Sequence, residues 1–189
     1  MLPRLWGNDR IKPKKNGGLS DNGTGKFSDI DNASLEYIKW LGCSHVWYTG
    51  VIRHSTQASE DGCTPSHPQF VKGKAGSPYA ICNYYDVNAY LADNAGDRML
   101  EFEQLIKRTH DAGLKVIIDF VPNHVARDYG KVDMTPGHPV LGAEDDRSVH
   151  WREENDFIYY PGEALRLPTE SPKGMEPYYE MPAMATGNN

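Results

Sequence analysis

The stretch KVIIDFVPNH, from Lys115 to His124, sets three chemically capable side chains within six residues: a carboxylate, Asp119, an amide, Asn123, and an imidazole, His124. Side chains alternate along a strand, so Asp119, Val121 and Asn123 share one face if extended geometry persists that far. A carboxylate on a buried face is costly unless it is hydrogen-bonded or paired with a cation. Asp119 is therefore expected to have an anchoring partner. Pro122 removes a backbone donor and holds Val121 extended, which fixes where the next two side chains emerge. Spacing alone leaves two readings open: Asp119 caps a neighbouring loop while His124 closes a turn, or the three line a ligand site at a strand mouth.

Two helix–glycine–strand units must position these residues. In ASLEYIKWLGCSHVWYTGVI, Leu35, Ile38 and Leu41 recur at helical steps. Asp31 or Asn32 can cap that helix, and Gly42 can end it before a β-rich run containing Val46, Trp47, Tyr48, Val51 and Ile52. In DRMLEFEQLIKRTHDAGLKVIIDFVPNH, Met99, Phe102, Ile106 and Thr109 mark one helical face, Gly113 ends it, and a strand starts at Lys115 or Val116. Helices alternating with strands predict a parallel sheet in an α/β fold. The consecutive apolar residues Val116, Ile117 and Ile118 predict a strand covered on both faces. The opening MLPRLWG reads as the second half of a first strand.

The region from Arg53 to Gly96 reads as a long Gly-, Pro- and Ser-rich connection, of the kind that carries function when it follows a strand's C-terminal end. From Ala126 onward turn residues, charges and paired tyrosines predominate, predicting an irregular excursion over 126–189; the acids of GAEDDR and WREEN read as exposed charge. A net charge of −6 on 189 residues argues against a nucleic-acid partner, and the basic stretch RIKPKK reads as a solvated loop. No apolar run approaches the length of a membrane span, and the opening has no signal-peptide core. The compartment is left unassigned. Cys43, Cys63 and Cys82 include no C-x-x-C pair, which removes the usual zinc and redox-dithiol readings.

The string DFVPNH resembles the first short motif of the α-amylase family (glycoside hydrolase family 13), in which the third strand of a (β/α)8 barrel ends in Asp-x-Val-x-Asn-His. LEYIKWLGCSHVWYTGVI is similar to that family's first helix and second strand, and SPYAICNYYDVNAYLA to the loop before its second helix. The resemblance runs over residues 20–128. It implies an incomplete TIM barrel, about strands one to three, over 1–125, and the start of a domain B-like insertion over 126–189. It implies an enzyme acting on α-1,4 linkages of starch, glycogen or maltooligosaccharides. His124 would hydrogen-bond hydroxyls of the glucose next to the scissile bond, and Tyr79 would stack on the same ring. Asn123 would give an oxygen to a structural calcium, and Asp119 would be a structural acid. Many relatives carry an acidic calcium loop after strand one; here SDNGTGKFSD has Thr24 where an acid is expected, which speaks against a metal in that loop.

The family's retaining hydrolysis needs a nucleophilic carboxylate and an acid/base about 5 Å apart. In the family these follow strands four and five, so neither is assigned here, and the chain alone is expected to be inactive on starch and poorly stable. A transglycosylase of the same family would look alike over this segment. A non-catalytic amylase-like scaffold is the reading from another class; the presence of Tyr79, Asp119, Asn123 and His124 favours the enzyme.

Overall fold

A computed structural model describes residues 1–59, 63–68, 71, 73–131 and 133–163. The rest of the expected insertion, 164–189, lies outside the described residues. Two strands form a parallel sheet: β1, His45–Tyr48, pairs with β4, Lys115–Ile118, in the register His45↔Lys115 to Tyr48↔Ile118. Helices α2, Asn32–Trp40, and α3, Arg98–Asp111, precede these strands, and α1 is the short turn Leu19–Asn22. Among the described residues the barrel is not closed, and no helix is long and apolar enough to cross a membrane.

Local chemistry explains the boundaries. The Asp31 carboxylate accepts from the Ser34 backbone N–H at 2.8 Å, satisfying one of the free donors at the start of α2. Gly42, at φ +86°, ends that unit and Gly113, at φ +82°, the second. Leu35 and Ile38 of α2, Phe102 and Leu105 of α3, and Val46 and Tyr48 of β1 pack into one core with Phe27, Ile30 and Leu91. The buried face of α3 is Phe102, Leu105 and Thr109; Met99, expected on it, is exposed. Thr109, on the expected face, meets β1. Its hydroxyl donates to the Leu105 carbonyl, which leaves the oxygen to accept from the Tyr48 hydroxyl at 2.7 Å.

Four further expectations are corrected. Residues 1–7 form no strand: the Met1 amino group donates to the Trp47 carbonyl and Thr49 N–H to the Met1 carbonyl, but Pro3 then opens a 3-10 turn, Pro3–Leu5. Proline's missing N–H stops further pairing. The segment 53–96 is not a plain loop, since β2, Ile52–His54, and β3, Ile81–Val87, make an antiparallel pair with an irregular register. Strand β4 is not covered on both faces; Ile117 and Ile118 are exposed because β1 is its one sheet neighbour among the described residues. Residues 126–163 contain turns and no helix or strand outside the one masked position, and Asp145 organises them. It accepts from the Asp156 and Phe157 N–H groups and from the Tyr159 hydroxyl, so it is a half-buried acceptor rather than exposed charge.

Candidate functional site

Asp119 follows the last residue of β4, and its N–H reaches the Tyr48 carbonyl at 3.4 Å, continuing the parallel ladder. The partner that its burial demands comes from the neighbouring strand. The Trp47 indole N–H donates to Oδ1 at 2.6 Å, and the Thr49 hydroxyl donates to Oδ2. Both oxygens are thus engaged by neutral donors, which suits a carboxylate that is held in place rather than one that attacks substrate.

Beyond Asp119 the chain turns out of the sheet. Asn123 is exposed and His124 is half-buried, with the Asn123 amide nitrogen 3.4 Å from His124 Nδ1. Tyr84 of β3 holds this turn from beneath. Its hydroxyl donates to the Val121 carbonyl and lies 3.3 Å from that of His124, and its ring contacts Phe120 and Tyr129. Burial, with Tyr129 adding to it, pushes the Tyr84 hydroxyl up to about 12, so it remains a donor at neutral pH. Ala126 N–H donates to the Ile81 carbonyl at 2.7 Å. That bond ties the two segments together two residues downstream of both His124 and Tyr79. The Tyr79 side chain is exposed, while its backbone N–H is held by the Ser77 hydroxyl at 3.3 Å.

Behind Tyr79 lies a frame that sequence reasoning missed. His54 is fully buried: Nε2 faces the Ala75 carbonyl at 3.2 Å, so it carries the proton, and Nδ1 accepts from the Asn88 amide at 2.9 Å. Burial, with the Arg4 charge second, lowers its pKa to about 4. Asn88 also donates to the Ile52 carbonyl at 3.0 Å, and its oxygen accepts from His54 N–H. Buried Arg53 joins Asp86 at 3.3 Å and also pairs with Asp133, while Arg98 holds Asp86 with two 2.8 Å bonds. This chain of ions fastens β2 and β3 to the start of α3 and to the segment after Asp128. The signal in the sequence was a β-rich composition, Ile81, Cys82, Tyr84, Tyr85 and Val87, without alternation. Cys82 is no nucleophile: burial, with Asp128 second, pushes its thiol up to about 12.

As a calcium site the region offers one amide oxygen at Asn123. Among the described residues no group of three or more His, Cys, Asp or Glu could hold a metal.

A parallel β1–β4 pair with helices packed on one face and a braced acid at the strand end is a piece of a parallel β/α fold. The family model for the α-amylase catalytic domain matches residues 14–169, and the chain belongs to that family. It is 26% identical over 148 residues to a β/α-amylase of Paenibacillus polymyxa, covering 75% of this chain and 10% of that protein. It is also 26% identical over 130 residues to a 1,4-α-glucan branching enzyme of Clostridium perfringens, covering 69% and 16%. Among solved structures, a maltogenic α-amylase from Thermotoga neapolitana is 32% identical over 55% of this chain and 20% of its own, with a TM-score of 0.40. The chain thus spans a small part of the length of the curated relatives it matches.

Proposed function

We propose that this chain supplies the sugar-gripping side of an α-glucan-active glycoside hydrolase. The observation that carries this reading is Asp119 locked by Trp47 and Thr49 at the mouth of β4, with Asn123 and His124 following it and Tyr79 tied alongside through the Ala126–Ile81 bond. The exposed Tyr79 ring offers an apolar face to a pyranose, and His124 offers hydrogen bonds to its hydroxyls. Asp119 keeps β1 and β4 in register at the site and takes no part in bond cleavage. Asn123 provides one oxygen toward a structural calcium, and no chemical step passes through it. The paired carboxyl groups of retaining hydrolysis are not assigned here, so the 189-residue chain by itself is predicted to leave starch uncut.

Calorimetric titration with maltoheptaose tests this. Tyr79→Ala and His124→Ala are each expected to weaken binding about tenfold, the loss of one stacking or hydrogen-bonding contact of 1–2 kcal/mol. Binding that survives both substitutions, or its absence in the unaltered chain, would overturn the assignment. Release of reducing sugar from starch that persists in the His124→Ala chain would overturn the division of roles.

A further inference from the structure

A cavity of about 630 Å³ lies between the loop after the first 3-10 turn, residues 8–24, and the segments 56–59 and 74–75. None of Tyr79, Asp119, Asn123 and His124 lines it. Its volume falls within the roughly 300–1,000 Å³ typical of small-molecule sites. Among the described residues three cations line it, Arg4, Arg10 and Lys74, against one acid, Asp21, on a chain whose net charge is −6. Asp21 is already paired with Lys14 at 3.2 Å, and among the described residues no carboxylate forms an ion pair with Arg4, Arg10 or Lys74. An excess of cations over acids among the described lining residues of a concave surface attracts an anion.

The cations stand on a braced frame. The Arg4 guanidinium donates to the Gly76 carbonyl at 3.1 Å through one nitrogen, leaving other N–H groups of its fork for a ligand. The Asn8 amide donates to the Asn22 carbonyl at 3.1 Å and its oxygen accepts from Arg10 N–H at 3.2 Å. Asn22 in turn clasps Lys14 through both of its side-chain atoms, at 2.7 and 3.0 Å. The Lys74 carbonyl accepts from the Thr56 hydroxyl and from Gln57 N–H, each at 2.9 Å. The basic stretch that reads in sequence as a solvated loop is thus folded over a cavity whose remaining walls include amides and hydroxyls.

We propose that this cavity is a second, separate binding site that takes a phosphorylated sugar, the phosphate held by Arg4, Arg10 and Lys74 and the hydroxyls by the polar walls. The inference does not rest on the α-glucan reading, because the two sites share no lining residue. Titrating the 189-residue chain at low ionic strength with glucose 6-phosphate, inorganic phosphate and glucose tests it. Glucose 6-phosphate is expected to bind most tightly, inorganic phosphate next and glucose least. Arg10→Gln and Lys74→Gln, both at exposed positions, are each expected to weaken glucose 6-phosphate binding by about tenfold, the loss of one charge-assisted contact. Tyr79→Ala is expected to leave it unchanged while weakening maltoheptaose. Glucose binding as tightly as its phosphate, or both glutamine variants binding like the unaltered chain, would overturn the site; inorganic phosphate binding as tightly as the sugar phosphate would overturn the sugar part. Circular dichroism of each variant confirms the fold, and the salt dependence of binding in the unaltered chain gives an independent readout, since affinity that does not fall with added salt contradicts a charge-held ligand.

Discussion

Asp119 and His54 are both polar groups set into apolar surroundings, and they illustrate opposite solutions. Asp119 is held by two donors, the Trp47 indole N–H and the Thr49 hydroxyl. Replacing it with alanine removes both hydrogen bonds, with water free to reach the exposed Trp47 indole. The expected cost is about 0.5–1.5 kcal/mol, read as a lower urea midpoint, together with a change in tryptophan emission. An unchanged midpoint would show that Asp119 does not brace the sheet. His54 instead stays neutral, since burial first and the Arg4 charge second lower its pKa to about 4 from an ordinary 6.5. A base whose folded pKa is depressed binds its proton more readily when unfolded. Its neutral form therefore contributes full stability above about pH 6.5, and that contribution is lost as pH falls toward 4, where the folded form also protonates. A gap of about 2.5 pH units at 1.36 kcal/mol each gives about 3 kcal/mol. Urea titrations between pH 4 and 7 should show this decline, and a His54→Gln chain that folds should show a flatter profile; parallel slopes would remove His54 from the account.

Elements with a strong local period were legible in the sequence, and elements held together by long-range polar contacts were not. Helix α2 declared itself through Leu35 and Ile38 and through Asp31, whose side chain caps it. Asp31→Ala should cost about 1 kcal/mol, measured as a lower thermal midpoint, while Asp31→Ser should recover most of it because a hydroxyl can accept the same Ser34 N–H. Equal stability of the alanine and parent chains would mean the cap is idle. Helix α3 was legible in extent and largely in face, since Phe102 and Thr109 are buried and Ile106 packs on the core; of the four residues expected there, Met99 in the first turn is the exposed one. Strand β3 was hidden because both of its faces are largely buried, so its residues do not alternate. Its role depends on Tyr84 reaching Val121 and on Asp86 reaching Arg53 and Arg98, contacts that no local window contains. The candidate site was legible where a motif concentrates it, at Asp119, Asn123 and His124. Its supports, Trp47, Thr49 and Tyr84, were read simply as strand or loop residues.

On the scale of the whole molecule, the distribution of cover decides behaviour in solution. The helices shield one side of the β1–β4 sheet, where Val46 and Tyr48 are buried, whereas Trp47 and its register partner Ile117 are 56% and 42% exposed on the other. Phe120, just past the strand, is 68% exposed. Strand β4 also has backbone donors and acceptors along its outer edge that meet no strand among the described residues. An apolar sheet face joined to an open strand edge favours association with any complementary surface, including another copy of the same chain. The 189-residue chain is therefore expected to grow in apparent mass with concentration in sedimentation velocity and to bind a hydrophobic dye. Ile117→Lys should suppress both effects, because it puts a cation on that face two residues from the Asp119 carboxylate and makes stacking of two such sheets costly. A sharp monomer boundary at all concentrations in the unaltered chain would show that the exposed face is not adhesive. Association that persists unchanged in the lysine variant would place the contact elsewhere, with the exposed aromatic pair Tyr37 and Trp40 of α2 as the next surface to alter.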